Sequence, residues 1–141
     1  MRPSLDRYLM TLAKVAATRS TCVRRNVGCV LSDAKGRVLS IGYNGVPSGV
    51  EHCRGGMPCQ GHLLPAGQDN CEAVHAEQNA LLQCKNPDEI ASAHITLSPC
   101  KPCLKLLLNT GCRRIVVLAE HTDLWAKEHW LKLGRKWEVL Q

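Results

Sequence analysis

The sequence predicts an α/β fold, a three-layer α/β/α sandwich in which one mixed five-stranded sheet lies between layers of helices. Three observations lead to this prediction. Segments with the helical period of apolar residues alternate with strand-like segments in the order α-ββ-α-β-α-β-α-β. A turn-forming segment at 33–36 joins the first two strands, which indicates a hairpin. The continuous apolar run Ile115–Ala119 is typical of a parallel strand that is covered on both faces.

Each element has a local basis in the sequence. Ser4 is a suitable N-cap for a first helix, whose apolar residues from Leu5 to Ala16 follow the 3.6-residue period. Gly111 is predicted to end the third helix in a left-handed conformation, and Thr122 to cap the fourth. The remaining predicted elements are strands Val27–Leu31 and Arg37–Tyr43, helix His75–Cys84, strand His94–Leu97, helix Cys100–Asn109, strand Ile115–Ala119, a helix from Thr122 to about Leu133 and strand Trp137–Leu140.

One long segment has neither a helical nor a strand period. The chain of 141 residues has the length of one domain, so we expect 1–141 to form a single unit with an irregular insertion at about 45–74. From Gly45 to Asn70 the insertion contains six glycines and three prolines, together with cysteines and histidines. A structureless loop of this length is unusual in a compact domain, and a bound metal is the economical explanation for it.

Composition restricts the classes of function. No segment approaches the roughly 20 apolar residues of a membrane span, and no export signal is visible, so we expect a cytoplasmic protein without a membrane partner. Nine cysteines in a reducing compartment indicate metal binding more often than disulfides. The net charge of +6 favours ligands that carry phosphate. The few aromatic residues argue against a nucleic-acid partner.

Four residues in two short motifs indicate a catalytic zinc site. His75 lies in the segment His-Ala-Glu-Gln-Asn-Ala, and Cys100 and Cys103 lie in Ser-Pro-Cys-Lys-Pro-Cys. One imidazole and two thiolates leave the fourth position of a tetrahedral zinc open, as catalytic zinc requires. His-x-Glu followed by Pro-Cys-x-x-Cys is a signature of zinc-dependent base deaminases. Glu77 is the expected general acid and base, moving protons between water, the ring nitrogen and the departing ammonia.

A closed structural zinc site is the main alternative interpretation of these residues. A Cys-x-x-Cys with a distant histidine could be half of such a site, completed by another cysteine. Structural sites usually pair two such motifs, and Glu77 would then have no purpose. The motifs therefore favour a hydrolytic deaminase.

Beyond the zinc motifs, the sequence resembles one family, the deoxycytidylate deaminases of the cytidine and deoxycytidylate deaminase superfamily. The zinc motifs specify only the superfamily, whereas Gly-Tyr-Asn-Gly-x-Pro-Ser-Gly narrows the match. The resemblance covers residues from about 20 to 120. The matching blocks are 22–28, 42–49, 75–80 and 97–103.

The resemblance implies a cytidine-deaminase-like fold and the hydrolysis of dCMP to dUMP and ammonia. It also implies a homo-oligomer, often a hexamer, that dCTP activates and dTTP inhibits. By the match, Asn44 would contact the sugar hydroxyl, the backbone of Ala76 would bind the base, and Arg24 would contact the phosphate. The implied effector contacts are Gly42, Tyr43 and Gly45. The chain departs from many relatives in having His121 and Thr122 where they carry a tyrosine near the phosphate.

Some members of this family hold a second, structural zinc, and four cysteines match its ligand positions. These are Cys22, Cys53, Cys59 and Cys71, with His52 and His62 as alternates for one of them. The alternative is that the four are unconnected buried thiols. For the other cysteines, Cys29, Cys84 and Cys112, a place in the core is the better interpretation.

Two other functions remain open at this point. The first is a related zinc deaminase of another substrate: a different cytosine nucleoside or nucleotide, the unknown substrate of a competence-type homologue, or adenosine in tRNA. The second is a zinc-binding module without catalysis. Glu77 and the open ligand position argue against the second.

Overall fold

The structure, a computed structural model, describes residues 1–22, 25–52 and 72–141. Within these ranges the helices and strands alternate in the predicted order. None of these helices combines the length and the apolar character that crossing a membrane requires. The elements are α1 (Leu5–Ala17), β1 (Gly28–Ser32), β2 (Val38–Tyr43), α2 (Ala76–Gln83), β3 (Ser92–Leu97), α3 (Lys101–Leu108), β4 (Arg114–Ala119), α4 (Trp125–Lys132) and β5 (Lys136–Val139), with a short 3-10 helix at Pro87–Glu89.

The five strands form one mixed sheet in the order β2-β1-β3-β4-β5. Strand β1 pairs antiparallel with both β2 and β3, whereas β3, β4 and β5 are parallel neighbours. The carboxyl ends of β2, β3 and β4 and the amino end of β1 therefore lie along the same edge of the sheet. The predicted mixed five-stranded sheet is confirmed.

Helices cover both faces of the sheet, which confirms the three-layer sandwich. Among the described helices, α1 packs on one face, and α2, α3 and α4 share the other. The core under α1 contains Leu9, Met10, Ala13, Val30 and Val116. The core on the opposite face includes Leu31, Ala80, Ile95, Leu104, Ile115 and Trp130. Adjacent β1 residues belong to opposite cores because successive strand side chains point to opposite faces.

The predicted cap of the first helix is confirmed. Ser4 Oγ accepts a hydrogen bond from the backbone N–H of Arg7 at 3.2 Å. The side chain thus satisfies one of the N–H groups that the first turn leaves without a helical partner.

Gly111 does not end α3 as predicted. Among the described residues, positive φ occurs at Gly36, Gly49 and Gly134. Gly111 is needed for another reason: a Cβ atom there would lie 2.1 Å from the carbonyl oxygen of Asp88. The left-handed glycine after a helix is Gly134, which follows α4 with φ of 80°.

The predicted cap of α4 is also wrong. The helix begins at Trp125 rather than after Thr122. Asp123 Oδ1 accepts a hydrogen bond from the backbone N–H of Trp125 at 2.9 Å, so an aspartate next to the predicted cap satisfies this N–H.

Candidate active site

His75, Cys100 and Cys103 meet at the shared edge of the sheet. The Nδ1 atom of His75 lies 3.2 Å from Sγ of Cys100 and 3.2 Å from Sγ of Cys103. The three donor atoms all lie within 4.8 Å of one another. Tetrahedral zinc with bonds of about 2.3 Å to sulfur and about 2.0 Å to nitrogen separates such donors by about 3.5 Å. The cluster therefore has the size and the donor set of a zinc site.

The two thiols favour a bound cation. A hydrogen bond from Cys103 lowers the pKa of Cys100 to about 4. The pKa of Cys103 is strongly raised by its hydrogen bond with Cys100 and by burial. One thiolate thus forms readily, whereas a second beside it is unfavourable without a positive charge. A divalent cation would supply that charge and allow both sulfurs to coordinate as thiolates.

The start of α2 fixes the position of His75. His75 is the N-cap residue of this helix, and its backbone N–H donates to Oε1 of Gln78 at 2.8 Å. Asn79 Nδ2 donates to the carbonyl oxygen of Tyr43 at 2.8 Å, which holds the first turn of α2 against the end of β2. Gln78 and Asn79 are supports of the site that were not predicted from the sequence. The His-x-x-Gln spacing, similar to a capping box, could have indicated Gln78.

Close packing beneath α2 depends on a glycine. A Cβ atom on Gly42 would lie 2.3 Å from the carbonyl oxygen of Ala76 and 2.4 Å from the backbone nitrogen of Ala80. Only a residue without a side chain lets α2 approach β2 this closely. Gly42 thus helps to set the depth at which the helix presents His75 and Glu77.

Glu77 is buried beside the cluster, with 4% of its surface exposed. Burial raises the pKa of Glu77 to about 7, and the charge on Cys100 adds to this rise. The carboxyl group therefore lies close enough to Cys100 and Cys103 for both to affect its pKa. The role of Glu77 as general acid and base remains a prediction.

The start of α3 brings the two cysteines together. Cys100 is the N-cap residue of α3, and Cys103 lies in its first turn. The preceding loop is tied to the end of β4, because Ser98 N–H donates to the carbonyl oxygen of Ala119 at 3.0 Å. The Ser98 hydroxyl also accepts from the backbone N–H of His121 at 3.2 Å. Ser98 is a supporting residue that sequence reasoning did not identify.

Asn44 lies at the same sheet edge, where it holds the segment before β1. Its Oδ1 accepts from the backbone N–H of Val27 at 2.8 Å, and its Nδ2 donates to the carbonyl oxygen of Arg25 at 2.8 Å. Asn44 is buried. Arg24, the predicted phosphate contact, lies outside the described residues.

Tyr43 and Gly45, predicted as effector contacts with Gly42, lie close to α2. Gly45 forms an isolated antiparallel bridge with Val74, with backbone hydrogen bonds of 3.0 and 2.7 Å. This bridge leads the chain into His75. The structure thus gives Gly42, Tyr43 and Gly45 places in the framework of the site, and their effector role remains a prediction.

Three of the four predicted ligands of a second zinc, Cys53, Cys59 and Cys71, lie outside the described residues, as does the alternate His62. The fourth, Cys22, is buried. Cys29 and Cys112 are fully buried in the core, and Cys84 packs partly buried against it, as predicted.

A cluster of one histidine and two cysteines beside a buried glutamate, at one edge of a mixed sheet, defines the class of a zinc-binding deaminase. Comparison with known families agrees. The model of the family "Cytidine and deoxycytidylate deaminase zinc-binding region" matches residues 3–119, and the chain belongs to this family.

Within this family, several similar proteins are named deoxycytidylate deaminase or dCMP deaminase. Deoxycytidylate deaminase of Mycobacterium phage D29 is 39% identical over 125 residues, covering 82% of this chain and 94% of the phage protein. Deoxycytidylate deaminase of Schizosaccharomyces pombe is 38% identical over 120 residues, but the chain spans only 37% of that protein. The crystal structure of dCMP deaminase from cyanophage S-TIM5 in complex with dCMP and dUMP superposes with a TM-score of 0.78. That structure is 28% identical, with 99% of each chain covered.

Proposed function

We propose that this protein catalyses the zinc-dependent hydrolysis of dCMP to dUMP and ammonia. The observation that carries the proposal is the cluster of His75, Cys100 and Cys103 beside the buried Glu77. Relatives named deoxycytidylate deaminase support the choice of substrate, as does the S-TIM5 enzyme with dCMP and dUMP bound.

His75, Cys100 and Cys103 would hold the zinc ion. Bound there, zinc supplies Lewis-acid activation of water at neutral pH. The helix starts contribute as well, since Cys100 and Cys103 lie at the amino end of α3, where unpaired N–H groups and the helix dipole stabilise thiolate.

Glu77 would move the protons of the reaction. It takes a proton from the attacking water and delivers it to N3 of the cytosine ring, which makes C4 electrophilic. It then takes the proton of the newly added hydroxyl group and gives it to the departing amino group, which leaves as ammonia. Water thus supplies the oxygen of dUMP and the proton that leaves with ammonia. The enclosure of Glu77 keeps bulk water from competing for these transfers.

The sequence resemblance supports further contacts at this site. Asn44 would contact the sugar hydroxyl, the backbone of Ala76 would bind the base, and Arg24 would contact the phosphate. Activation by dCTP and inhibition by dTTP would act through the segment 42–45.

The proposal also includes the oligomeric state of the protein, its metal content and its location in the cell. The resemblance supports a hexamer and a second, structural zinc on Cys22, Cys53, Cys59 and Cys71. The thiolate ligands require a reducing compartment, which supports a cytoplasmic location.

Ammonia release tests the proposal. The zinc-loaded protein is given dCMP, deoxycytidine, CMP or a tRNA, each with and without dCTP. We expect turnover of dCMP that dCTP increases. Turnover of CMP or deoxycytidine alone would identify a related cytosine deaminase, and turnover of tRNA alone an adenosine deaminase.

A matched variant separates catalysis from metal binding. Glu77→Gln keeps the shape of the side chain but cannot shuttle protons, so it should retain zinc and lose at least about 100-fold in kcat. Full activity in this variant would contradict the proposed role. Glu89→Gln makes the same change at an exposed site and should leave kcat unchanged.

A further inference from the structure

A cavity of about 180 Å³ lies at the edge of the sheet opposite the zinc site. Its walls come from the start of α1, the turn between β1 and β2, and the starts of β3 and β4. An apolar cavity of about 150 Å³ can hold a benzene molecule, so this one has room for a single ring. Its lining includes Leu5, Asp6, Leu9, Ser32, His94 and Arg114.

Two polar atoms of this lining have no hydrogen-bond partner in the described part of the protein. They are Oγ of Ser32 and Nδ1 of His94. Ser32 is 1% exposed and His94 is fully buried. Buried polar groups are normally hydrogen-bonded, because a group without a partner has lost its water for nothing. Since both residues line the cavity, a molecule seated there is in a position to supply the missing partners.

The two residues belong to the same face of the sheet. In the antiparallel pair of β1 and β3, His94 is opposite Val30 and Ser32 is opposite Ser92. Val30 packs under α1, so Ser32 and His94 also face this layer, because side chains two positions apart share a face. Diagonal neighbours in such a pair are about 7 Å apart. This distance is too long for a direct hydrogen bond and suits a molecule that bridges them.

The neighbouring ion pair determines which ring nitrogen of His94 carries the hydrogen. Nε2 lies 2.8 Å from Oδ1 of Asp6. The hydrogen bond from Arg114 is the main reason that the pKa of Asp6 falls to about 2, so Asp6 is a carboxylate and can only accept. Burial lowers the pKa of His94, which favours the neutral ring. Nε2 is therefore the donor and Nδ1 an acceptor.

This arrangement offers one acceptor, on His94, and one hydroxyl donor, on Ser32. A lactam presents the complementary pair on one edge: its N–H donates to Nδ1, and its carbonyl oxygen accepts from the hydroxyl. The hydrocarbon part of the ring would cover Leu5 and Leu9. Leu5 is 52% exposed, so this contact removes apolar surface from water. An anion is disfavoured, because Nδ1 and the carboxylate of Asp6 are both acceptors.

We propose that this cavity binds small uncharged molecules that carry a lactam or similar secondary amide group, held by His94 and Ser32. Asp6 is a positioning residue, since it fixes the ring of His94 through Nε2. The cavity and the zinc cluster lie at opposite edges of the sheet. The inference therefore does not depend on the proposed deaminase function.

Nitrogen NMR of the histidine rings tests this site in the isotope-labelled, zinc-loaded protein. The probe is 2-pyrrolidinone, and its matched control is N-methyl-2-pyrrolidinone, which lacks the N–H. We expect 2-pyrrolidinone to move the Nδ1 resonance of His94 to a saturating, hydrogen-bonded position, with a Kd on the order of 1 mM for so small a ligand. The N-methyl compound should bind at least about 5-fold more weakly.

Two serine variants separate the site from a general effect of buried hydroxyls. Ser32→Ala should weaken binding of 2-pyrrolidinone about 3- to 10-fold. Ser40→Ala is the matched control, because Ser40 Oγ is also buried without a partner but Ser40 does not line the cavity. It should bind within about 2-fold of the wild type. Urea denaturation should show no loss of stability in Ser32→Ala, since the variant removes a group that has no partner in the protein.

Several results would overturn the inference. One is the absence of a saturating shift up to about 100 mM 2-pyrrolidinone, far above the expected Kd, which would leave water as the partner of the two atoms. Equal affinity for the two lactams would show that Nδ1 is not the acceptor. Equal weakening in Ser32→Ala and Ser40→Ala would rule out the hydroxyl contact. Ammonia release from dCMP is measured on the same samples, so a failure of either proposal is seen separately.

Discussion

Asp6, in the first turn of α1, forms a bidentate ion pair with Arg114, the first residue of β4. Nη1–Oδ1 and Nη2–Oδ2 distances are 2.7 and 2.6 Å. Oδ1 also lies 2.8 Å from Nε2 of the fully buried His94. Arg114 pairs further with Glu138 of β5 at 2.7 Å. This network joins the layer of α1 to three strands of the sheet.

Asp6→Asn should destabilise the fold. The amide cannot form the bidentate ion pair with Arg114, and it leaves the contact with His94 weakened. For a partly exposed pair we expect the free energy of unfolding to fall by about 1–2 kcal/mol. Urea denaturation measures this change. Glu89→Gln, at an exposed carboxyl group, is the control, and an equal change in both variants would contradict a specific role for the network.

The same carboxyl group should make stability depend on acid. The hydrogen bond from Arg114 is the main reason that the pKa of Asp6 falls from 3.8 to about 2. Because the pKa is lower in the folded state, the contribution is complete above about pH 4 and is lost as the pH falls towards 2. Its size is at most about 2.5 kcal/mol, and solvent screening reduces it. Thermal melts of the wild type and Asp6→Asn should therefore converge as the pH falls to about 2.

Gly42→Ala should disturb the metal cluster from outside it. The new methyl group would meet the backbone of Ala76 and Ala80 at 2.3 and 2.4 Å, so α2 must move away from β2. We expect a loss of stability of about 1–3 kcal/mol and weaker zinc binding, because His75 moves with the helix. Melting temperature and zinc retention during dialysis measure both effects.

Gly45→Ala is the matched control for this change. Its nearest contact would be Thr21 Oγ1 at 3.1 Å, a side-chain atom that can shift slightly. This variant should keep its zinc. Equal zinc loss in the two variants would show that the close approach at Gly42 is not the cause.

Asn44→Asp should distinguish the effects of the two hydrogen bonds that the Asn44 side chain forms. A carboxylate still accepts from the N–H of Val27 but cannot donate to the carbonyl oxygen of Arg25. We expect KM for dCMP to rise about 10-fold, because repulsion from the carbonyl oxygen of Arg25 displaces the side chain that would contact the sugar hydroxyl, with smaller effects on stability. Asn44→Ala, which removes both bonds, should lose stability as well. An unchanged KM in Asn44→Asp would contradict the proposed contact of Asn44 with the sugar hydroxyl.

Zinc stoichiometry tests the two metal sites separately. Cys100→Ser should remove the catalytic zinc and abolish turnover, since a serine hydroxyl is a poor zinc ligand at neutral pH. If the second site exists, the wild type should hold two zinc ions per chain and Cys22→Ser only one. Atomic absorption on dialysed protein measures these values. A single zinc in the wild type would contradict the predicted structural site.

Local sequence patterns predicted the fold and the metal cluster well, because their signals lie within a few residues. Ser4 precedes a regular helical period, and His75 and Cys100 each open a helix. The predictions for the end of α3 and the start of α4 were wrong, because more than one residue there fits the local rules for ending or capping a helix. Gly111 follows a helix, as a left-handed helix terminator does. The glycine is needed there because the backbone of Asp88 packs closely against it. Both Thr and Asp can cap a helix, so the sequence alone does not choose between Thr122 and Asp123. In the structure, Asp123 accepts the hydrogen bond from the backbone N–H of Trp125 at the start of α4.

Contacts between distant segments could not be predicted from the sequence. The meeting of Arg25 and His121 depends on strand order and on the ends of two loops, which no local period specifies. The same holds for the double hydrogen bond of Asn44, whose Asn-Gly context indicates only a turn.

The core beneath α1 has a consequence for the order in which the protein is made. Leu9 and Met10 pack on Val30, which follows soon in the chain, and on Val116, which is translated about 100 residues later. The Asp6–Arg114 ion pair spans a separation of 108 residues. On the ribosome, the first helix is followed soon by β1 and β2, on which much of it packs, whereas β3 and Val116 of β4 emerge only much later. Part of its apolar face must wait for β3 and Val116, and this interval is when a nascent chain would need protection by a chaperone.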